Sequence, residues 1–288
     1  MPTQTEKAAQ FQALHQRTEV FVIGNPWDAG TARILTGLGY KALSTTSAGL
    51  AFTLGRRDGT ASVSRDEALA NARAIVDATH LPVAADLENG YGHSPEEAAE
   101  TIRLAAEAGL VGGSIEDATG DDANPIYEFN HAVERIAAAA AAARPLPFPF
   151  MLVARAENYL HGRPDLDDTI RRLQAFEAAG AEVLYAPGIT RPDDIRAVCS
   201  SVTKPVNVLM GMKNVPLLSV SELGALGVRR ISLGSGFSRA ALTAFLHAAR
   251  EVIADGTFTF TNATLYMSEL ADLFGPDASS KGREQLIR

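Results

Sequence analysis

The sequence predicts an α/β fold, a (β/α)8 TIM barrel, and three observations carry the prediction. Short apolar runs alternate with amphipathic helical segments along most of the chain. Glycines close helical segments at Gly39, Gly109, Gly180 and Gly227, each a few residues before the next apolar run. Acids follow the ends of consecutive runs instead of gathering at one switch point, which favours a barrel over a doubly wound open sheet.

Taken in order, the strands are expected over 20–25, 42–46, 82–88, 113–116, 150–154, 183–186, 206–209 and 230–233. Helix starts lie between them. Ser64 with Glu67 three residues on is a capping box. Ser94-Pro95-Glu96-Glu97 places a cap, a proline at the first helical position and early acids. Arg191-Pro192-Asp193-Asp194 reads similarly. The barrel is assigned to residues 1–256, as one catalytic domain. A C-terminal extension follows over 257–288, with an extended Thr257-Phe258-Thr259-Phe260, a helix over 264–274 and a small, polar, unstructured tail over 276–281.

Composition narrows the function. A 288-residue chain with net charge −8 is a poor partner for nucleic acid or an anionic membrane. One cysteine, Cys199, excludes a disulfide framework and points to a reducing compartment. The polar N-terminus lacks a signal-peptide core and no apolar run would span a bilayer, so a cytoplasmic protein is expected.

The most informative stretch is Asp86-Leu87-Glu88-Asn89-Gly90-Tyr91-Gly92. Two carboxylates at i and i+2 share one face of a strand where it exits into a glycine-rich turn. Burying them is costly unless a cation or donors meet them. Glu116-Asp117 repeats the theme one strand later. Asp86, Glu88, Glu116 and Asp58 are therefore candidate ligands of a hard divalent cation, held directly or through water: Mg2+, with Mn2+ as a substitute. Arg155 is the candidate clamp for a substrate carboxylate, and the backbone of Thr46-Ser47-Ala48-Gly49 a second anion contact. Asp58, Arg155 and Glu116 are the catalytic candidates. Trp27, Asn207 and Asp86 complete the substrate-binding set, with Trp27 as a wall. His93 and His131 read as surface or loop residues, and Gly234-Ser235-Gly236 as a tight strand-to-helix junction. Such a metal would polarise a 2-oxo group and stabilise an enolate while a neighbouring bond breaks.

In these residues the chain resembles the phosphoenolpyruvate mutase/isocitrate lyase superfamily. The matching pieces, in family order, are Asn25-Pro26-Trp27-Asp28-Ala29-Gly30, Thr46-Ser47-Ala48-Gly49, Leu54-Gly55 with Asp58-Gly59, Asp86 to Gly92, Ile115-Glu116-Asp117 and Ala154-Arg155-Ala156-Glu157. The resemblance implies a barrel whose last helix swaps between subunits, usually in a dimer of dimers. It implies magnesium on Asp86, with Asp58, Glu88 and Glu116 acting mostly through water. It also implies 2-oxo acid or enolate chemistry in which C–C or C–P bonds are made or broken.

One region departs from the family pattern. Lyases acting on isocitrate or methylisocitrate carry Lys-Lys-Cys-Gly-His on a mobile loop after strand 4. Here the loop reads Asp117-Ala118-Thr119-Gly120-Asp121-Asp122-Ala123-Asn124-Pro125. The chain thus looks like a phosphonomutase or carboxyvinyl-carboxyphosphonate phosphorylmutase-like member, without that lyase motif. Thr119 and Asn124 could supply the polar part of a gate, but the lysine of phosphonopyruvate-acting members is missing. Decarboxylation of an oxaloacetate-type acid needs only metal, clamp and enolate sink, so C–C cleavage ranks first. A C–P enzyme, either phosphonomutase or phosphonopyruvate hydrolase, is the alternative. A class II pyruvate aldolase and a non-catalytic dicarboxylate-binding protein stand behind these two.

Overall fold

The structure, a computed structural model, describes residues 1–274. Eight parallel strands form one sheet: β1 (Phe21–Val22), β2 (Leu43–Ser44), β3 (Val83–Asp86), β4 (Gly112–Glu116), β5 (Met151–Arg155), β6 (Val183–Tyr185), β7 (Val206–Leu209) and β8 (Arg230–Ser232). The order is β1-β8-β7-β6-β5-β4-β3-β2, and a parallel bridge between Gly24 and Leu43 closes the ring. All eight expected strands are present; β1, β2, β3, β6 and β8 are shorter than the apolar runs because the tilted strands pair over only part of their length, while β4, β5 and β7 match or slightly exceed them.

Helix α1 (Gln4–Gln16) precedes the barrel. Its Ala8, Phe11 and Leu14 pack with Ile23, Ala84 and Val153, so the helix plugs the N-terminal mouth. The outer helices are α2 (Ala29–Gly37), α3 (Ser47–Thr53), α4 (Arg65–Asp77), α5 (Pro95–Glu107), α6 (Phe129–Ala143), α7 (Leu166–Ala179), α8 (Pro192–Ser201), α9 (Val220–Ala225) and α10 (Gly236–Asp255). A capping box begins α4 at Ser64, as read from sequence, and the cap expected at Ser94 proves to be a capping box that begins α5. Helix α8 starts on Pro192 without a side-chain cap. The four expected cap glycines all have left-handed backbones, with φ from 90° at Gly39 to 109° at Gly180.

Helix α10 is unlike the others. It is 20 residues long with Ser238 its one buried residue, and it exposes Leu242, Phe245 (71%) and Ile253 (88%). The alternating Thr257-Phe258-Thr259-Phe260 is not extended: a 3-10 helix covers Thr259–Ala263. The Glu251 carboxylate accepts from the amides of Thr259 and Phe260, which pulls the backbone into a turn. Helix α11 (Met267–Phe274) starts three residues later than expected and returns to α2, where Arg33 donates to the Phe274 carbonyl. The tail expected over 276–281 lies outside the described residues. No helix among the described residues is long and apolar enough to cross a membrane.

Candidate active site

Three neighbouring strands end on charge. Asp86, Glu116 and Arg155 are the last residues of β3, β4 and β5, so the parallel register brings them to one rim. The turn after β3 holds Glu88 (φ 48°) and Tyr91 (φ 57°) in the left-handed region, which non-glycine residues avoid. The Glu88 carbonyl accepts from the Glu116 amide at 3.0 Å, which locks this turn to the end of β4.

Arg155 is the hub. Its Nη1 lies 2.8 Å from Asp86 Oδ1, its Nη2 3.0 Å from Glu116 Oε2, and its Nε 2.8 Å from Glu157 Oε1. Asp86 is held further by the Ser47 hydroxyl at 2.9 Å and the Ser47 amide at 3.3 Å. Glu182 lies outside this cluster and pairs with Lys204 at 2.9 Å.

Negative charge exceeds positive here. Burial and the Asp86 charge push the Asp58 carboxyl up, against the pull of Ser47 and Arg155. Burial, then Asp86 and Asp58, push Glu88 up to about 7. Glu116 is raised well above the carboxylate range, first by burial and then by Glu157, Asp86 and Glu88, with Arg155 opposing. One guanidinium thus faces several mutually repelling acids, and a hard cation would relieve the repulsion. Among the described residues, no three His, Cys, Asp or Glu side chains converge closely enough to hold a metal ion by themselves. The carboxylates of Asp86, Asp58, Glu88 and Glu116 are oxygen donors of the kind a hard divalent cation takes.

A cavity of about 220 Å³ opens beside this hub, and Thr46, Ser47, Ala48, Asp58, Asp86 and Arg155 all line it. Gly49 makes the turn possible: a Cβ there would sit 2.6 Å from Thr46 Cγ2 and 2.8 Å from Trp27 Cβ. Trp27 therefore backs the turn. Glu88 and Thr119 line an adjoining cavity of about 520 Å³, beside His93.

Asn207 is not brought to the substrate as expected. It is 1% exposed, and its amide is occupied: Nδ2 donates to Ser232 Oγ at 2.9 Å and Oδ1 accepts from Arg230 Nε at 2.8 Å. Asp117, next to Glu116, points the other way. It pairs with Arg172 at 3.1 Å and accepts from the Glu157 amide at 2.7 Å, so it braces the barrel wall.

The loop after β4 is folded on itself. Ala118 bridges Ile126, the Thr119 hydroxyl donates to the Asn124 carbonyl at 2.6 Å, and Asn124 donates to Asp121. His93 and His131 belong to a structural cluster: His93 Nδ1 lies 2.7 Å from the Tyr127 hydroxyl and His131 Nε2 2.8 Å from the His93 carbonyl. Cys199 is remote, beside Gly227 on the cavity at the opposite end of the barrel, and burial pushes its thiol up to about 11.

Sequence reasoning passed over several residues. Asn25 ties three strands together, donating to the Ser44 carbonyl and accepting from the Leu233 amide. Thr45 accepts from the Asp86 amide at 3.0 Å. The Tyr185 ring lies under the Arg155 guanidinium, 5.3 Å from its centroid. Asn25 opens one quoted motif and Thr45 stands beside another, without a role for either; a polar residue at a buried strand end was the available signal.

Known proteins resemble this chain in sequence and fold. A solved structure of a candidate lyase/mutase from Burkholderia cenocepacia J2315 is 58% identical, with a TM-score of 0.93 over 96% of this chain and 98% of that one. A candidate phosphonomutase from the same organism is 34% identical, with a TM-score of 0.78 over 88% of this chain and all of that one, 100%. An oxaloacetate decarboxylase of Bradyrhizobium sp. (strain BTAi1 / ATCC BAA-1182) is 30% identical over 72% of this chain and 70% of its own. The family model for phosphoenolpyruvate phosphomutase matches residues 11–253. By sequence and fold, this chain belongs to the phosphoenolpyruvate phosphomutase family, within the phosphoenolpyruvate mutase/isocitrate lyase superfamily.

Proposed function

We propose that the protein is a magnesium-dependent enzyme that breaks a C–C bond in a small 2-oxo acid, as in decarboxylation of an oxaloacetate-type substrate. The observation that carries this reading is the hub itself: Asp86, Glu116 and Glu157 gathered on Arg155, with Asp58 and Glu88 pressed against them.

Asp86 would hold the metal directly, and Asp58, Glu88 and Glu116 would hold it through water. When bound, the metal polarises the 2-oxo oxygen and carries the enolate charge. The chain's own residues do the rest. Arg155 uses three of its nitrogens on carboxylates, yet a guanidinium has five N–H donors, so donors remain for a substrate carboxylate. Ser47 fixes Asp86 through its hydroxyl and its amide, and the 46–49 turn shapes the carboxylate end of the cavity. The 118–126 loop closes over the site and excludes water. It carries no cysteine, lysine or histidine, so it supplies no acid of that kind to a leaving group, and decarboxylation needs none.

C–P chemistry is the second reading, and the 34% identity to a candidate phosphonomutase favours it. The exposed apolar face of α10 supports assembly into a homo-oligomer, a dimer of dimers with α10 exchanged between subunits. Turnover of oxaloacetate, phosphonopyruvate and 2-methylisocitrate with Mg2+ tests the reading. Pyruvate release from oxaloacetate supports it, and turnover of phosphonopyruvate alone shifts the function to C–P chemistry. Condensation of pyruvate with an aldehyde would indicate an aldolase. Ligand binding without turnover of any substrate would leave a dicarboxylate-binding protein.

A further inference from the structure

A cavity of about 540 Å³ opens at the N-terminal end of the barrel, opposite the acid rim. That is the size of an ordinary small-molecule site. Its walls come from the end of α1, the start of β7 and the turn before β8, so the length of the strands separates it from the active site. The chain carries a net charge of −8, yet three cations line this cavity: Arg17, Lys204 and Arg229. Among the described residues Glu182 is the one acid that lines it, and Lys204 already holds that carboxylate at 2.9 Å. Neither Arg17 nor Arg229 forms an ion pair among the described residues. Arg229 Nη1 reaches the Gly227 and Val228 carbonyls, both at 3.3 Å, and its other nitrogens make no hydrogen bond among the described residues. Its charge acts on the Cys199 thiol, another wall of the cavity, so the field of the guanidinium falls inside.

Polar groups stand between these cations. Gln12 and Gln16 lie four residues apart on α1, which puts them on one face of the helix, and both line the cavity. Neither side-chain amide is used in a hydrogen bond among the described residues. Helix ends explain part of the charge. Helices α1 and α9 finish at this end of the barrel, and their last carbonyls attract cations such as Arg17, the C-cap of α1. They do not explain why cations from three separate segments converge on one concave wall with unspent amides between them.

We propose that this cavity binds a small, multiply charged oxyanion, a phosphate or a polycarboxylate, at a site separate from the active centre. The guanidinium forks of Arg17 and Arg229 match the paired oxygens of either group, and Lys204 adds a point charge. The amides of Gln12 and Gln16 supply further donors. The proposal does not depend on the 2-oxo acid reading, because no residue of the acid rim takes part in it.

Calorimetry of the metal-free protein at low ionic strength tests this, with pyrophosphate and citrate as the probes. Without Mg2+ the acids of the rim repel both anions, so binding reports the cavity at the other end. The wild type is expected to bind at least one of the two, at one site per chain, and more weakly as salt is added. Whichever probe binds more tightly identifies the group. Arg17→Met and Arg229→Met are each expected to weaken that binding about 10- to 100-fold, the range of a charge-assisted contact. Glu182→Gln should strengthen it several-fold, because it removes the one opposing charge and releases Lys204. A gain of affinity cannot come from misfolding, so this variant decides the matter even if an arginine variant fails to fold. No binding of either probe by the wild type overturns the proposal and leaves the cations to the helix ends alone. Binding of equal strength in wild type, Arg17→Met and Glu182→Gln overturns it as well, because the anion then sits elsewhere.

Discussion

Arg155 and Asp86 meet at 2.8 Å although they lie on strands that do not touch, β5 and β3. Glu116, at the end of the intervening β4, receives the same guanidinium at 3.0 Å. The pair therefore spans the rim, and every acid of the site is arranged around it. Removing the arginine leaves partly buried carboxylates uncompensated. Arg155→Met is expected to cost about 3–5 kcal/mol of stability in urea unfolding of the metal-free protein. Mg2+ should recover part of that loss, because both cations answer the same charge.

Glu88 gives a pH-dependent test. Its carboxyl is held at about 7, against an ordinary value of 4.5 in the unfolded chain. Between these values the folded state holds a proton that the unfolded state has lost, so its contribution to stability declines as pH rises through that window. Above pH 7 the full cost remains, about 3 kcal/mol by order of magnitude. In metal-free protein, Glu88→Gln should therefore raise Tm by several degrees at pH 8 and change it little at pH 4.5. An equal shift at both pH values would show that the buried carboxylate's charge is not the cause.

His15 predicts the opposite slope. It is 4% exposed, set edge-on against Phe11 and Phe21, and burial and then Arg230 press its pKa down to about 3. The unfolded chain protonates it near 6.5, so stability is fully present above that pH and is lost as pH falls toward 3. The loss is about 5 kcal/mol by order of magnitude. Guanidinium unfolding of the wild type should weaken as pH falls from 7 to 4 while that of His15→Leu changes less, so that the difference between the two moves against the wild type by about 3 kcal/mol.

Adjacent acids should separate by role. Asp117→Asn breaks a buried pair with Arg172 and is expected to cost about 3 kcal/mol while leaving Mg2+ affinity within a few-fold. Glu116→Gln should do the reverse: weaker Mg2+ binding and slower turnover, with Tm held within a few degrees. Paired calorimetry and thermal melts of both variants decide the assignment.

The eight strands and their glycine caps were legible because both rest on local rules. Apolar runs mark strands, and a left-handed C-cap asks for glycine, as at Gly180. Partner choice was not local. Glu182 and Glu116 look equally available to Arg155, but Glu182 precedes β6 at the opposite end of the barrel and meets Lys204. Asn207 read as a substrate contact because it stands on a strand near the site, yet its amide faces Ser232 and Arg230 in the bore. Arg230 was given no role from sequence: it opens the expected eighth strand beside Arg229, and only closure of the barrel places it inside. Thr257 to Phe260 alternates like a strand, and Glu251, six to nine residues earlier, bends it into a turn.

The central claim is that Asp86 anchors a catalytic divalent cation. Calorimetry of Mg2+ binding, run beside oxaloacetate and phosphonopyruvate turnover on wild type and Asp86→Ala, tests it most directly. The account predicts that the wild type binds Mg2+ and turns over at least one of the two substrates, while Asp86→Ala loses both properties and keeps its Tm within a few degrees. Undiminished metal binding or turnover in a folded Asp86→Ala protein would contradict it.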